Sequence, residues 1–252
     1  MAKRSFCAAI IMVLCLAGTA GAQEIVLQAD YWMPFNGDGV TEMGYVLELA
    51  KAIFEPFGYT IVFQTVPWNR AISQARTGQC DGIVGAFVGD AEDFVFPAEE
   101  QGLAENMFYV RKGDPWRYTG IDSLRGKKFA VISDYSYGDD IDAYIATNPA
   151  GLTQARGEEP LEQLLAMLTA GRVDIVIEDR TVMAYAIKKA GLSGGVIIAG
   201  TLGEQEKLFI AFSPAKPNSA KYAKILSDGM AALRASGKLK LILDKYGLAD
   251  WK

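Results

Sequence analysis

Histidine is missing from all 252 residues. Its absence excludes Ser-His-Asp triads, histidine proton relays and histidine-ligated metals. Cysteine is nearly missing too. Two of the three, Cys7 and Cys15, fall in the apolar N-terminal stretch, which leaves Cys80 without an internal partner. With no histidine to serve as its base, Cys80 is expected to be a buried structural thiol. There is no excess of positive charge, with 25 Lys and Arg against 30 Asp and Glu. That balance argues against a nucleic acid or an anionic membrane surface as partner. The acidic run Asp90–Asp93 lacks EF-hand spacing, and "GTLGEQEK" (Gly200–Lys207) lacks the Walker pattern. No metal site, no cofactor and no catalytic residue is therefore expected. Beyond the N-terminus no apolar run is long enough to cross a bilayer.

The first residues read as a secretory signal. Lys3 and Arg4 are followed by "CAAIIMVLCLAG" (Cys7–Gly18), and "AGA" (Ala20–Ala22) gives the small-x-small pattern for cleavage before Gln23. "MVL" before Cys15 lacks the small residues of a lipid-anchor signal. The mature chain is expected to be an exported, periplasmic protein.

Half of all residues are hydrophobic, enough for a substantial core. Ile25–Ala29 reads as a strand and "GYVLELAKAIFEPFG" (Gly44–Gly58) as a helix ended by Pro56 and Gly58. Strand "TIVFQTV" (Thr60–Val66), helix "NRAISQARTG" (Asn69–Gly78) and strand "DGIVGAF" (Asp81–Phe87) follow. This alternation predicts an α/β unit with a parallel sheet. The pattern recurs in "KKFAVIS" (Lys127–Ser133), a helix around Asp139–Ala146, "PLEQLLAMLTAG" (Pro160–Gly171), "VDIVIED" (Val173–Asp179) and "GVIIAG" (Gly195–Gly200). "TGQCDGIVG" (Thr77–Gly85) and "AGRVDIVIE" (Ala170–Glu178) echo each other: helix, Gly, two residues, Asp, apolar strand. Two similar lobes are expected, linked by extended crossings at Glu105–Pro115 and Glu206–Pro214 that form a hinge. The expected division is a signal peptide at 1–22, lobe one at 23–108, lobe two at 109–208, and a return to lobe one at 209–252. The last part holds two helices that pack back on lobe one.

Open parallel sheets bind ligands beyond the carboxyl ends of their strands. There this chain places Tyr31 and Trp32; Pro67, Trp68, Asn69 and Arg70; Gly85, Ala86 and Phe87; "SDYSYG" (Ser133–Gly138); and Glu178, Asp179 and Arg180. Each admits a plainer role. Trp32 and Trp68 could cap the core, Arg70 could be a solvated helix residue, and Glu178 or Asp179 could cap the helix that follows.

In these segments the sequence resembles the periplasmic solute-binding proteins of the polar amino-acid type, family 3. The likeness runs through "ADYWMPF", "GYVLELAKAIFEPFGYTIVF", "VPWNRAISQARTGQCDGIVGAF", "IDSLRGKKFAVISDYSYG", "LLAMLTAGRVDIVIEDRTVMAYAI" and "LKLILDKYGL". It implies a two-lobed periplasmic binding protein fold: two doubly wound sheets joined by two hinge strands, monomeric, closing on a small-molecule ligand for an inner-membrane ABC permease. It assigns the stacking aromatic to Trp32, with Tyr31 beside it, and the start of the second helix to Trp68. Gly85 and Ala86 take the end of strand three, with Phe87 beside them. Tyr135 and Ser136 take the second lobe's donor loop, and Asp179 the acid for the ligand ammonium. The family's carboxylate-clamping arginine after strand three has no counterpart. "VGDAEDFVFP" (Val88–Pro97) holds Asp90, Glu92 and Asp93 instead. Either Arg70 supplies the guanidinium from another direction, or the ligand has no carboxylate. Two other functions share this scaffold: ligand sensing for a receptor, and dehydratase chemistry with Glu178 as acid or base.

Overall fold

The computed structural model describes residues 23–157 and 159–252. The expected signal peptide lies outside the described residues. Among those described, no helix is long and apolar enough to cross a membrane.

Two five-stranded sheets form from the β-branched runs. The first contains β1 (Gln23–Ala29), β2 (Tyr59–Thr65), β3 (Gly82–Ala86), β4 (Gly102–Ala104) and β10 (Glu206–Phe212), in the order β2-β1-β3-β10-β4. The second contains β5 (Asn106–Arg111), β6 (Phe129–Ile132), β7 (Leu152–Ala155), β8 (Ile175–Asp179) and β9 (Val196–Thr201), in the order β7-β6-β8-β5-β9. Each sheet has a parallel trio, β2-β1-β3 or β7-β6-β8. In each, the fourth strand runs antiparallel to the third, β10 against β3 and β5 against β8. The sheets are therefore mixed rather than purely parallel, and the two antiparallel strands are the crossing segments themselves.

The chain passes between sheets at Glu105 and again over 202–205, a few residues before the expected boundaries at 108/109 and 208/209. The reason is that Asn106–Arg111 already pairs with β8 and β9, and Glu206–Phe212 already pairs with β3 and β4.

The sequence echo has a structural counterpart. Asp81, at the entry to β3, accepts the Val26 N–H at 2.8 Å, and its own N–H goes back to the Val26 carbonyl at 2.8 Å. Asp174, at the entry to β8, accepts the Lys128 N–H at 3.0 Å and returns 2.8 Å to the Lys128 carbonyl. The same carboxylate clip thus fixes the central strand of each lobe to its neighbour.

Helices α1 (Tyr45–Phe54), α2 (Trp68–Arg76), α6 (Ser219–Ala235) and α7 (Lys238–Lys245) accompany the first sheet. Helices α3 (Asp139–Thr147), α4 (Pro160–Thr169) and α5 (Arg180–Lys189) accompany the second. Val46, Leu49 and Ile53 of α1 share one core with Tyr222, Leu226 and Met230 of α6 and Leu239 and Leu243 of α7, so the C-terminal helices complete lobe one. Each fully buried aliphatic side chain contributes roughly 1.5–3 kcal/mol. Gly229 permits this packing, because a Cβ there would stand 2.3 Å from Ile53. Cys80 is a free, buried thiol in the core formed with Ala71, Ile72, Ile83 and Phe94, and burial raises its pKa to about 11.

Candidate functional site in the interlobe cleft

The parallel trios aim the carboxyl ends of β1 and β3 at those of β6 and β8. β1 ends at Ala29 and delivers Asp30, Tyr31 and Trp32. β3 ends at Ala86 and is followed by Phe87 and a 3₁₀ turn, Val88–Asp90. Gly85 adopts φ +87, and a Cβ there would meet the Trp32 ring and the Asn36 side chain at 3.4 Å. Glycine at that position lets the indole lie against the backbone. In lobe two, the loop after β6 turns at Asp134 (φ 69) and presents Tyr135, Ser136 and Tyr137. β8 ends in Glu178 and Asp179.

Trp32 divides the cleft. It is only 9% exposed, lies 4.5 Å from Phe35 in a stacked pair, and meets Phe87 edge-on at 6.4 Å. On one side lies a rim pocket that includes Tyr31, Glu162, Val182, Tyr185 and Lys189. On the other lies an interior pocket with about 480 Å³ of space, part of it open to solvent. Its walls include Trp32, Trp68, Phe87, Tyr135 and Tyr137, with Val84, Gly85, Asn106 and Ser136 between them. Its charged groups are Asp30, Asp90 and Glu178. Among the described residues no lysine or arginine lines it.

The interior acids are costly to bury. Glu178 is 2% exposed, and burial pushes its pKa to about 8, with the neighbouring Asp179 and Asp30 adding to the rise. Its Oε1 accepts the Trp32 indole N–H at 3.0 Å and the Asp179 N–H at 2.8 Å, while Oε2 is buried without a partner among the described residues. Asp30 accepts the Tyr135 hydroxyl, and burial raises its pKa to about 6 despite that bond. Asp90 accepts the Phe87 N–H at 2.8 Å, and burial raises it to about 6 as well. Two of these bonds, Trp32–Glu178 and Tyr135–Asp30, join the lobes, so the acids sit where the lobes meet.

Several of the residues singled out from the sequence converge here: Trp32, Trp68, Gly85, Phe87, Tyr135 and Ser136 all line the interior pocket. Others lie elsewhere. Tyr31 faces the rim pocket, donating to Glu42 under the Lys189 ammonium. Ala86 is fully buried among Ala71, Ile83 and Ala211. Arg70 is exposed on α2, whose buried face is Ala71, Ile72 and Ala75. Asp179 is the N-cap of α5. Its Oδ1 accepts from Thr181 and Val182 at 2.7 and 2.9 Å, and its Oδ2 accepts the Glu105 N–H at 2.7 Å. Three backbone donors occupy this carboxylate, and it does not line the pocket. Its neighbour Glu178 does.

Asp30, Asp90, Asn106 and Tyr137 are the lining residues that the reading of the sequence did not single out as ligand contacts. Asp30 carried a usable signal. An acid one residue past β1 stands at the same strand edge as the acids that close β8.

Two α/β lobes linked by two crossings, with aromatics and acids gathered between them, define a periplasmic-binding-protein architecture. The family model of bacterial extracellular solute-binding proteins, family 3, matches residues 25–249, and the chain belongs to that family. It is 24% identical over 206 residues to the probable amino-acid-binding protein YxeM of Bacillus subtilis (strain 168), covering 81% of this chain and 75% of that protein. It is 22% identical over 205 residues to the L-cystine-binding protein TcyA of the same organism, covering 81% and 72%. Among solved structures, it matches an ABC uptake transporter substrate-binding protein from Streptococcus pneumoniae with bound histidine, at TM-score 0.73 and 20% identity, over 89% of this chain and 92% of that one. A histidine kinase sensor domain similar to periplasmic binding proteins matches at TM-score 0.72 and 22% identity, over 90% and 97%.

Proposed function

We propose that this protein is an exported solute-binding protein that closes its lobes on a small cationic, amine-bearing solute and hands it to an inner-membrane ABC permease. The observation that carries the reading is the charge of the interior pocket: three buried or half-buried carboxylates, aromatic walls and no basic side chain among the described residues. An α-amino acid brings a carboxylate that would need a guanidinium or a cluster of free donors. Three of the donors here are spent on the protein's own acids: the Trp32 N–H on Glu178, the Tyr135 hydroxyl on Asp30 and the Ser136 hydroxyl on Asp142. Arg70 is exposed on α2 and does not line the pocket, and Arg180 is paired with Glu105 at 3.0 Å. A desolvated ammonium against a carboxylate and an aromatic face gains roughly 1–3 kcal/mol from each contact.

Binding accounts for Glu178 better than acid–base catalysis does. Its Oε1 is held by two N–H donors, and catalysis would need a second, complementary group poised on the reacting atoms. A thermal-shift screen of alkylamines, α-amino acids, organic acids and small peptides tests the reading. Amines should raise the melting temperature, with about 2.7 kcal/mol of stabilisation at a hundred times the dissociation constant. Shifts confined to α-amino acids or organic acids would reject it.

A further inference from the structure

The acids of the interior pocket form two poles. Asp30 adds to the rise of the Glu178 pKa, and both acids are tied to lobe-bridging hydrogen bonds. Asp90 stands apart. It is held on a separate element, the 3₁₀ turn after β3, where its Oδ2 accepts the Phe87 N–H at 2.8 Å. The walls of the same pocket include Trp32, Phe87 and Trp68, surfaces suited to methylene groups rather than to a polar backbone. At the first pole, Glu178 Oε2 is buried with no partner among the described residues. An acceptor so placed is expensive unless a donor arrives with the solute.

We infer that the solute is a linear dication, an alkyl chain with an ammonium group at each end, one held by Glu178 with Asp30 and the other by Asp90. This rests on the cationic-solute reading and sharpens it. A single ammonium would leave one pole without a counter-charge. A second ammonium supplies that charge, and the aromatic walls cover the chain between.

The test is isothermal titration of the protein with 1,3- to 1,6-diaminoalkanes, n-butylamine, 4-aminobutanoate and L-glutamine at pH 8. The best diamine should bind at least about tenfold more tightly than butylamine, the worth of one charge-assisted hydrogen bond. 4-Aminobutanoate, which carries a carboxylate in place of the second ammonium, should bind more weakly than butylamine. In Asp90→Asn, the ratio of diamine to butylamine affinity should fall toward one, a ratio that a loss of folded protein would not change. Equal affinities for diamine and butylamine, or an unaltered ratio in Asp90→Asn, would overturn the dication while leaving a monocationic solute standing. Tight binding of L-glutamine with no heat from any amine would overturn both.

Discussion

The two pockets on either side of Trp32 are built from the same materials and end in opposite electrostatic states. At the rim, Glu42 accepts from Tyr31 and from Tyr185 across the cleft at 2.8 Å, and Lys189 lies 3.5 Å from both Glu42 and Glu162. The Tyr31 hydroxyl, followed by Tyr185 and Lys189, holds Glu42 below the usual carboxylate range. In the interior, Asp30, Asp90 and Glu178 are all raised by burial, and among the described residues no lysine or arginine lines the pocket with them. Tyrosines and carboxylates bridging two lobes do not by themselves mark a ligand site. The rim is saturated and serves as a clasp between lobes. The interior keeps one buried acceptor, Glu178 Oε2, without a partner among the described residues, and the proposed solute would supply its donor.

The largest expected effect is on Glu178. Glu178→Gln keeps the shape and removes the charge, so amine affinity should fall about a hundredfold, in line with the 1.5–3 kcal/mol of a charged hydrogen bond plus its Coulomb attraction. Titration calorimetry checks it, and an unchanged affinity would make the interior no different from the rim.

The next effect is in pH, and here the two pockets should move in opposite directions. The groups facing Glu178 are Asp30, Asp179, Tyr135, Tyr137 and the Trp32 indole. Because its pKa is raised from 4.5 to about 8, the ligand-free fold holds a proton that the unfolded chain has already lost. Stability of the ligand-free protein should therefore decline as pH rises from about 4.5 to 8. A cation selects the ionised carboxylate, so affinity should weaken by about tenfold per pH unit below 8, with a proton released on binding at pH 7. Asp30 and Asp90, raised to about 6, should add to that loss in more acid solution. Glu42 is lowered instead, so the clasp contributes at neutral pH and is lost only as pH falls through its depressed value. Binding enthalpies in buffers of different ionisation heat measure the proton release directly.

A smaller effect separates two adjacent residues. Asp179→Ala removes a helix cap and should cost about 0.5–2 kcal/mol of stability, read by denaturant melts. The loss of affinity should fall on its neighbour Glu178 instead. The smallest effect is at the rim. Lys189→Met breaks partly exposed ion pairs of the kind worth roughly 0–1 kcal/mol, so affinity should change by no more than about fivefold and less in high salt.

Much of the fold was legible because β1, β2, β3, β6 and β8 are apolar runs ended by Gly, Pro or acids, and because the Asp81 and Asp174 motifs repeat. β4 and β7 were not. Each is only three or four residues long, and each is a strand by virtue of its neighbour rather than its own pattern. The directions of β5 and β10 were equally hidden, since antiparallel pairing depends on the partner across the sheet.

The strand-edge rule located the cleft but could not divide labour between Glu178 and Asp179. Both close β8, alternation sends their side chains to opposite sides, and only the start of α5 at Arg180 decides which becomes the cap. Arg70 could have been placed from periodicity. Ala71, Ile72 and Ala75 define the buried face of α2, and position 70 falls off it.

The most direct test is a crystal structure of the protein with the strongest amine from the thermal-shift screen. The account predicts an ammonium nitrogen within hydrogen-bonding distance, about 3 Å, of Glu178 Oε2, with the carbon chain against Trp32 and Phe87. A ligand seated beside Lys189 at the rim, or a ligand carboxylate turned toward Glu178 or clamped by Arg70, would contradict it.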